Sequence, residues 1–310
     1  MHRHHRSPQC NLALACPISA TWIPLRRLSV WPIRRRSSFD SLCVSDHIFI
    51  PYEYEPNYPY STTGRIGIEA TDQIFEPLTT LAFLAGQVAT PRLGVSVLIV
   101  PYRNPIVTAK MLITLDVLSR GRVILGAGVG WMPEEFAALG ASYEHRGQVT
   151  NEYIQIFQEL CTADRPSFEG QHYRISNMGF YPKPIQKPHP PVWIGGYSTA
   201  ALRRAVRLGD GWHPSNLPPE ALVAKKAILE RLCREAGRDP ASLSISTRVN
   251  NVAFGDSGDT VGRPSPLSGT AQQIIDTIKR YADAGVSHIV LGIRGRDAEA
   301  MCDTARLFAD

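Results

Sequence analysis

Two short constellations in this chain of 310 residues carry chemistry. The first is Trp193-Ile194-Gly195-Gly196-Tyr197-Ser198-Thr199, running on through Arg203-Arg204 to Gly209-Asp210-Gly211-Trp212. An apolar run after Pro190-Pro191 reads as a buried strand that breaks at two glycines, and a helical pattern opens at Ser198-Thr199. Glycines let a ligand approach the backbone, and the first free N–H groups of a helix attract anions. The run reads as a phosphate-binding strand–loop–helix, or as a strand turning into a helix with a Ser/Thr cap. Arg203-Arg204 lie a full turn further on, where a solvated helix face is the simpler reading. The second constellation is Asp46-His47, which follows the apolar run Ser41–Ser45. An imidazole titrates near neutrality and can take or give a proton in a reaction; otherwise the pair is a capping aspartate beside an exposed histidine.

Composition narrows what could surround these residues. Hydrophobic residues make up 44% of the chain and charged residues 20%, enough for one large α/β barrel or two smaller domains. No apolar run approaches the roughly 20 residues of a membrane span. The six cysteines show no metal-ligand spacing, which fits free thiols in a reducing, cytoplasmic setting. The net charge of +5 belongs to the first 38 residues, which hold seven arginines and no lysine, aspartate or glutamate. The remainder is slightly acidic, so the body offers no electrostatic case for nucleic acid.

Residues 1–38 read as an atypical Arg/Pro-rich leader, poorly ordered, with a barrel domain over 39–310. The apolar stretch Leu12–Ala15 is too short for the core of a secretory signal. The acid-free composition resembles an organellar transit peptide, and a displaced start or shifted reading frame is the preferred account.

From residue 40 onward strand and helix patterns alternate. Strands are expected at 41–45, 92–100, 122–126, 192–194, 211–213, 243–249 and 287–293. Helices are expected at 76–90, 105–119, 147–161, 199–208, 219–236, 271–284 and 297–308, with a hairpin at 167–175 and a loop or lid at 250–268. Such repeats imply parallel strands with crossover helices. The strand count is seven. An eight-stranded barrel needs one more, and the expectation is that the first strand and helix are missing or replaced, exposing two unpaired edges and lowering solubility.

The order of motifs resembles the luciferase-like monooxygenase superfamily of flavin and deazaflavin barrels. The residues carrying the resemblance are Phe39-Asp40-Ser41-Leu42 with Val44-Ser45-Asp46-His47, and Leu93-Gly94-Val95-Ser96-Val97-Leu98 with Pro101-Tyr102-Arg103-Asn104-Pro105. They continue with Leu115-Asp116, Leu118-Ser119, Gly121-Arg122, Gly126, Gly128, Gly130-Trp131 and Glu135-Phe136, and end with Trp193 through Trp212. Among branches the chain looks most like the coenzyme F420-dependent oxidoreductases. The resemblance implies a (β/α)8 TIM barrel with insertions and a site at the C-terminal ends of its strands.

It further implies roles. Asp46 would help seat the deazaflavin, and His47 would act near its hydride-carrying carbon, making the two the catalytic candidates. Ser96-Val97 would form a strand bulge with a cis peptide backing the ring. Gly128, Val129, Gly130 and Trp131 form a strand-end loop, with Trp131 walling the ring or filling core. Gly195, Gly196, Ser198 and Thr199 would hold the phosphate of the cofactor tail. Trp131 stands where some sugar-phosphate dehydrogenases of the family carry a glutamate, which argues against that reaction.

Tyr52–Tyr60 either roofs the substrate pocket or wanders over the surface. His145, His172 and His213 are expected to be structural or exposed. The activity implied is hydride transfer between F420 and a small organic substrate. The alternatives are an FMN-dependent monooxygenase fed by a reductase, and a non-catalytic flavin-binding barrel. Partners are a small-molecule substrate and a second copy of the chain; no nucleic acid, membrane or metal is expected.

Overall fold

A computed structural model describes residues 11–15, 39–255, 265–293 and 298–309. Among them, eight parallel strands close a ring: β1 (Asn11–Ala15), β2 (Ser41–Val44), β3 (Arg92–Ile99), β4 (Val123–Gly128), β5 (Val192–Gly195), β6 (Gly211–His213), β7 (Ser244–Phe254) and β8 (His288–Ile293). Each strand pairs with the next, and β8 pairs with both β7 and β1.

The missing first strand is therefore a correction. Asn11–Ala15 runs parallel to β8 from Asn11↔His288 to Ala15↔Gly292, and to β2 from Ala13↔Ser41 to Ala15↔Cys43. The two edges expected to be bare are filled by it, and the boundary at 38/39 does not separate a leader from the barrel. Five residues with no β-branched side chain carry little strand signal, but a strand with partners on both sides needs no propensity of its own. The remaining leader residues lie outside the described set.

Helices cover the strands where the sequence places caps. Glu76 accepts from the Thr79 N–H and opens the helix Pro77–Ala85, and Asn104 accepts from Ile106 and Val107 and opens Pro105–Leu118. Both use proline in the first turn, where its absent N–H costs nothing. Apolar residues of these helices, such as Leu81, Leu112 and Ile113, pack with Leu93 and Leu125 in the continuous core.

Two elements depart from the sequence reading. β7 runs to Phe254, beyond the expected end at 249, because Ser268-Gly269 pairs with Ala253-Phe254 and extends it. A short helix, Pro133–Ala138, had no counterpart in the pattern. Among the described residues, no helix is long and apolar enough to cross a membrane.

Candidate active site

The C-terminal strand ends open into one cavity of about 840 Å³. Asp46, His47, Ser96, Val97, Gly128, Val129, Gly130, Trp131, Gly195, Gly196 and Ser198 all line it, drawn from four different strands and the loops after them. Thr199 does not; it is exposed as the first residue of the helix Thr199–Leu208.

His47 is buried, and its Nδ1 lies 2.7 Å from Oε2 of Glu135. Glu135 is wholly buried on the short helix Pro133–Ala138, and its two oxygens also accept from the Ile48 N–H (2.6 Å) and the Tyr102 hydroxyl (2.9 Å). Burial and the adjacent carboxylate push the Tyr102 phenol up, so it stays a donor. An acceptor carboxylate fixes the His47 proton on Nδ1 and leaves Nε2 for a ligand. Glu135 belongs to the Glu135-Phe136 motif, to which the sequence alone assigns no role. Its signal was Pro133 at a first helical position, which places Glu135 on the turn beneath the Gly-x-Gly loop.

Asp46 is buried too, but its carboxylate is occupied. Oδ2 accepts from the Ile99 N–H (2.8 Å) and Arg103 Nη1 (2.7 Å), while Oδ1 accepts from Arg103 Nη2 (2.8 Å). Burial pushes this carboxyl up and the bidentate Arg103 fork pulls it down; the fork geometry is that of an ion pair. Asp46 thus pins the end of β2 to the end of β3, and sets the position of His47 beside it.

The peptide between Ser96 and Val97 is cis, and the β3–β4 register shifts between Val95 and Leu98. The Val97 side chain enters a slot made by two glycines. A Cβ on Gly128 would stand 2.5 Å from Val97 Cγ2, and one on Gly195 3.0 Å from Val97 Cγ1. Gly196 has φ +93, a conformation only glycine adopts without strain, and its carbonyl accepts from the Trp212 indole at 2.7 Å.

Beyond Gly196, Ser198 caps the helix by accepting from the Ala201 N–H at 3.2 Å. Arg203 is exposed, as expected of a solvated face, whereas Arg204 is buried and lines the cavity. Its Nε donates to Asn151 Oδ1 (2.6 Å) and its Nη2 to the Gly147 carbonyl (3.0 Å). Arg146 lines the same end and leaves its buried Nε without a partner. Neither arginine forms an ion pair among the described residues, and although the exposed Glu144 also lines the cavity, the two guanidinium groups make this end a cationic corner at a helix N-terminus.

Over the mouth lies the 52–60 loop. Tyr58 and Tyr60 line the cavity, with Tyr58 against Trp131 (5.1 Å between ring centres) and Tyr60 against Tyr197 (5.8 Å). Tyr52 points away and is 85% exposed. His145 is exposed and His172 half-buried.

Inside the barrel His213 sits between two hydroxyls, Ser96 Oγ and Ser246 Oγ, each at 2.8 Å. Burial pulls it down to about 3, and pulls His288, bonded to Ser41 Oγ, down to about 4. Both titrate near 6.5 once unfolded, so the unfolded chain binds more protons below that value. Stability from these two groups is complete above about pH 6.5 and falls as pH drops toward 4. The expected loss is on the order of a few kcal/mol. Urea denaturation between pH 8 and 4 checks it, and His213→Asn is expected to flatten the slope.

Residues 36–260 match the family described as luciferase-like monooxygenase. An uncharacterized protein of Mycobacterium tuberculosis is 29% identical over 274 residues, covering 88% of this chain and 85% of that one. The FMNH(2)-dependent dimethylsulfone monooxygenase of Pseudomonas putida is 36% identical over 132 residues, 41% of this chain and 36% of its own. The coenzyme F420 dependent tetrahydromethanopterin reductase of Methanopyrus kandleri superposes with a TM-score of 0.75 at 14% identity, covering 97% of this chain and 98% of that structure.

Proposed function

The chain belongs to the luciferase-like monooxygenase family, and on that premise we propose that it is an oxidoreductase moving a hydride between coenzyme F420 and a small organic substrate. The observation that carries this reading is the Glu135–His47 pair at 2.7 Å on the wall of the cavity. When bound, the deazaflavin supplies hydride transfer at its ring, and the protein supplies orientation and proton handling. His47 Nε2 takes the proton released as a substrate hydroxyl becomes a carbonyl, or returns it in the reverse direction. Glu135 holds the ring tautomer that makes this possible and stabilises the imidazolium after transfer. Tyr58, Tyr60 and Trp131 exclude water from above.

The residues present fit a phosphorylated ring cofactor. The orphaned Nε of Arg146, the uncompensated Arg204 and the helix opened by Ser198 form a corner for the tail phosphate, and the Gly128/Gly195 slot seats the bulged backbone that would back the ring. Each charge-assisted hydrogen bond contributes about 1.5–3 kcal/mol. Arg204→Gln is therefore expected to weaken cofactor binding about 10–100-fold with little change in turnover at saturation. Fluorescence titration measures the first, and a saturation curve the second.

A second reading, an FMN-dependent monooxygenase supplied by a reductase, is favoured by that same corner, since two arginines suit a phosphomonoester dianion. The stretch shared with the Pseudomonas putida enzyme supports it as well. One experiment separates them: anaerobic oxidation of a panel of small alcohols with F420, against oxygen uptake with reduced FMN. Reduction of F420 supports hydride transfer. Oxygen consumed with FMN alone replaces it by the monooxygenase.

A further inference from the structure

The cavity has a second cationic pole, which the proposed function leaves unused. Arg248, on β7, lines it with Ser45 from the end of β2, Asn216 from the loop after β6, and Asn250. Arg248 Nη1 donates to Ser45 Oγ and to the Ser96 carbonyl, both at 2.6 Å, and Nε donates to Asn250 Oδ1 at 2.6 Å. No carboxylate pairs with it among the described residues, and Nη2 has no partner there. The acidic groups that act on it are the Tyr58 phenol and the Cys43 thiol. Burial pushes both up, Cys43 to about 11, so neither carries charge near neutrality.

The side-chain oxygens around Arg248 are already engaged. Asn250 Oδ1 is taken by Arg248, Asn216 Oδ1 accepts the Asn250 N–H at 2.8 Å, and Ser45 Oγ accepts from Arg248. What remains without a partner among the described residues is the Nη2 edge of Arg248 and the amide NH₂ groups of Asn216 and Asn250. A wall of donors around an unpaired cation is poorly satisfied by a neutral ligand and well satisfied by an oxyanion.

We propose that Arg248, Asn216, Asn250 and Ser45 form an oxyanion site that binds a carboxylate or sulfonate group of the substrate, so the enzyme acts on anionic organic molecules. The assignment of that anion to a substrate rests on the proposed function; the site itself does not. Arg248 lies on β7, whereas the Arg146/Arg204 corner belongs to the first turn of the helix Arg146–Thr162 after β4 and to the helix after β5, so one cavity offers two separate anion seats.

The test is calorimetric titration of the full chain with benzoate and benzenesulfonate, against benzyl alcohol of similar shape. It is run without cofactor and again with saturating FMN or F420, whichever binds. Benzoate is expected to bind at least tenfold more tightly than benzyl alcohol, in both conditions. Asn216→Asp keeps the oxygen that accepts from Asn250 and replaces the NH₂ with a negative oxygen, so the fold stands while benzoate binding is expected to fall at least tenfold. Arg248→Lys keeps the charge and is expected to lie between.

Equal binding of benzoate and benzyl alcohol overturns the proposal. So does loss of benzoate binding in Arg204→Gln but not in Asn216→Asp, which moves the anion to the other corner. Displacement of benzoate by the cofactor assigns the pole to the cofactor and overturns the substrate assignment. If neither cofactor binds but benzoate does, the oxyanion site stands and the redox reading falls.

Discussion

His47→Ala is expected to lower turnover about 10²–10⁴-fold, the range of a lost general acid–base group, with cofactor affinity within a few-fold of wild type. The geometry separates the two effects. His47 meets the protein through Glu135, while the cationic corner at Arg204 lies on the helix after β5. Glu135 acts through His47, so Glu135→Gln should be smaller in size and different in kind. An amide can present its NH₂ to Nδ1, turning the imidazole so that Nε2 carries the proton. The pH profile of kcat would then change shape, whereas mere loosening of the helix would lower kcat evenly at every pH. Stopped-flow single turnovers across pH 5–9 distinguish the two, and an unchanged rate in His47→Ala removes the histidine from the mechanism.

Arg103→Met is expected to be the most destabilising single change near the site, by about 3–5 kcal/mol. It leaves the Asp46 carboxylate, with a side chain 0% exposed, held by the Ile99 N–H alone. Asp46→Leu should cost less, because Arg103 keeps Glu76 at 3.2 Å and reaches solvent more easily. The double variant Asp46→Leu/Arg103→Met buries no unpaired charge and should recover much of the loss. Urea denaturation of the four proteins gives the coupling energy directly. Additive losses would mean that the pair is not linked in the folded state.

Much of this architecture was legible in the sequence because caps and glycines leave local marks. Asn104-Pro105, Glu76-Pro77 and Ser198-Thr199 each announce a helix start within a few residues, and the seven later strands are apolar runs between such starts. The first strand leaves no such mark. Asn11–Ala15 is stabilised by neighbours nearly 30 and nearly 280 residues away, and no window of its own composition contains them.

The site shows the same division. Residues that line the cavity because they end a strand, such as His47, Gly128 and Gly195, follow from position along the chain. Arg204 and Arg248 do not. Arg204 stands next to an exposed arginine of the same type, and only the docking of the helix Thr199–Leu208 against the helix Arg146–Thr162 turns it inward. Arg248 alternates on its strand as any exposed residue would, until ring closure makes the inner face of β7 the wall of a pocket.

The pairing Asn11↔His288 also sets the order in which this protein can be made. Strands β2 through β7 can align as synthesis proceeds, each beside a neighbour already present. β1 can be held on its second side only after residues 288–292 have emerged, nearly 280 residues after Asn11. Until then the nascent sheet is an open arc rather than a ring, and the outer edges of β1 and β7 wait for the strand that joins them. Contacts of such long sequence separation form slowly, and exposed strand edges recruit other chains while they wait. Yield in a cell therefore depends on how quickly β8 reaches β1 and β7, and slowing ribosomes between β7 and β8 would lengthen the vulnerable interval without changing a single contact in the finished barrel.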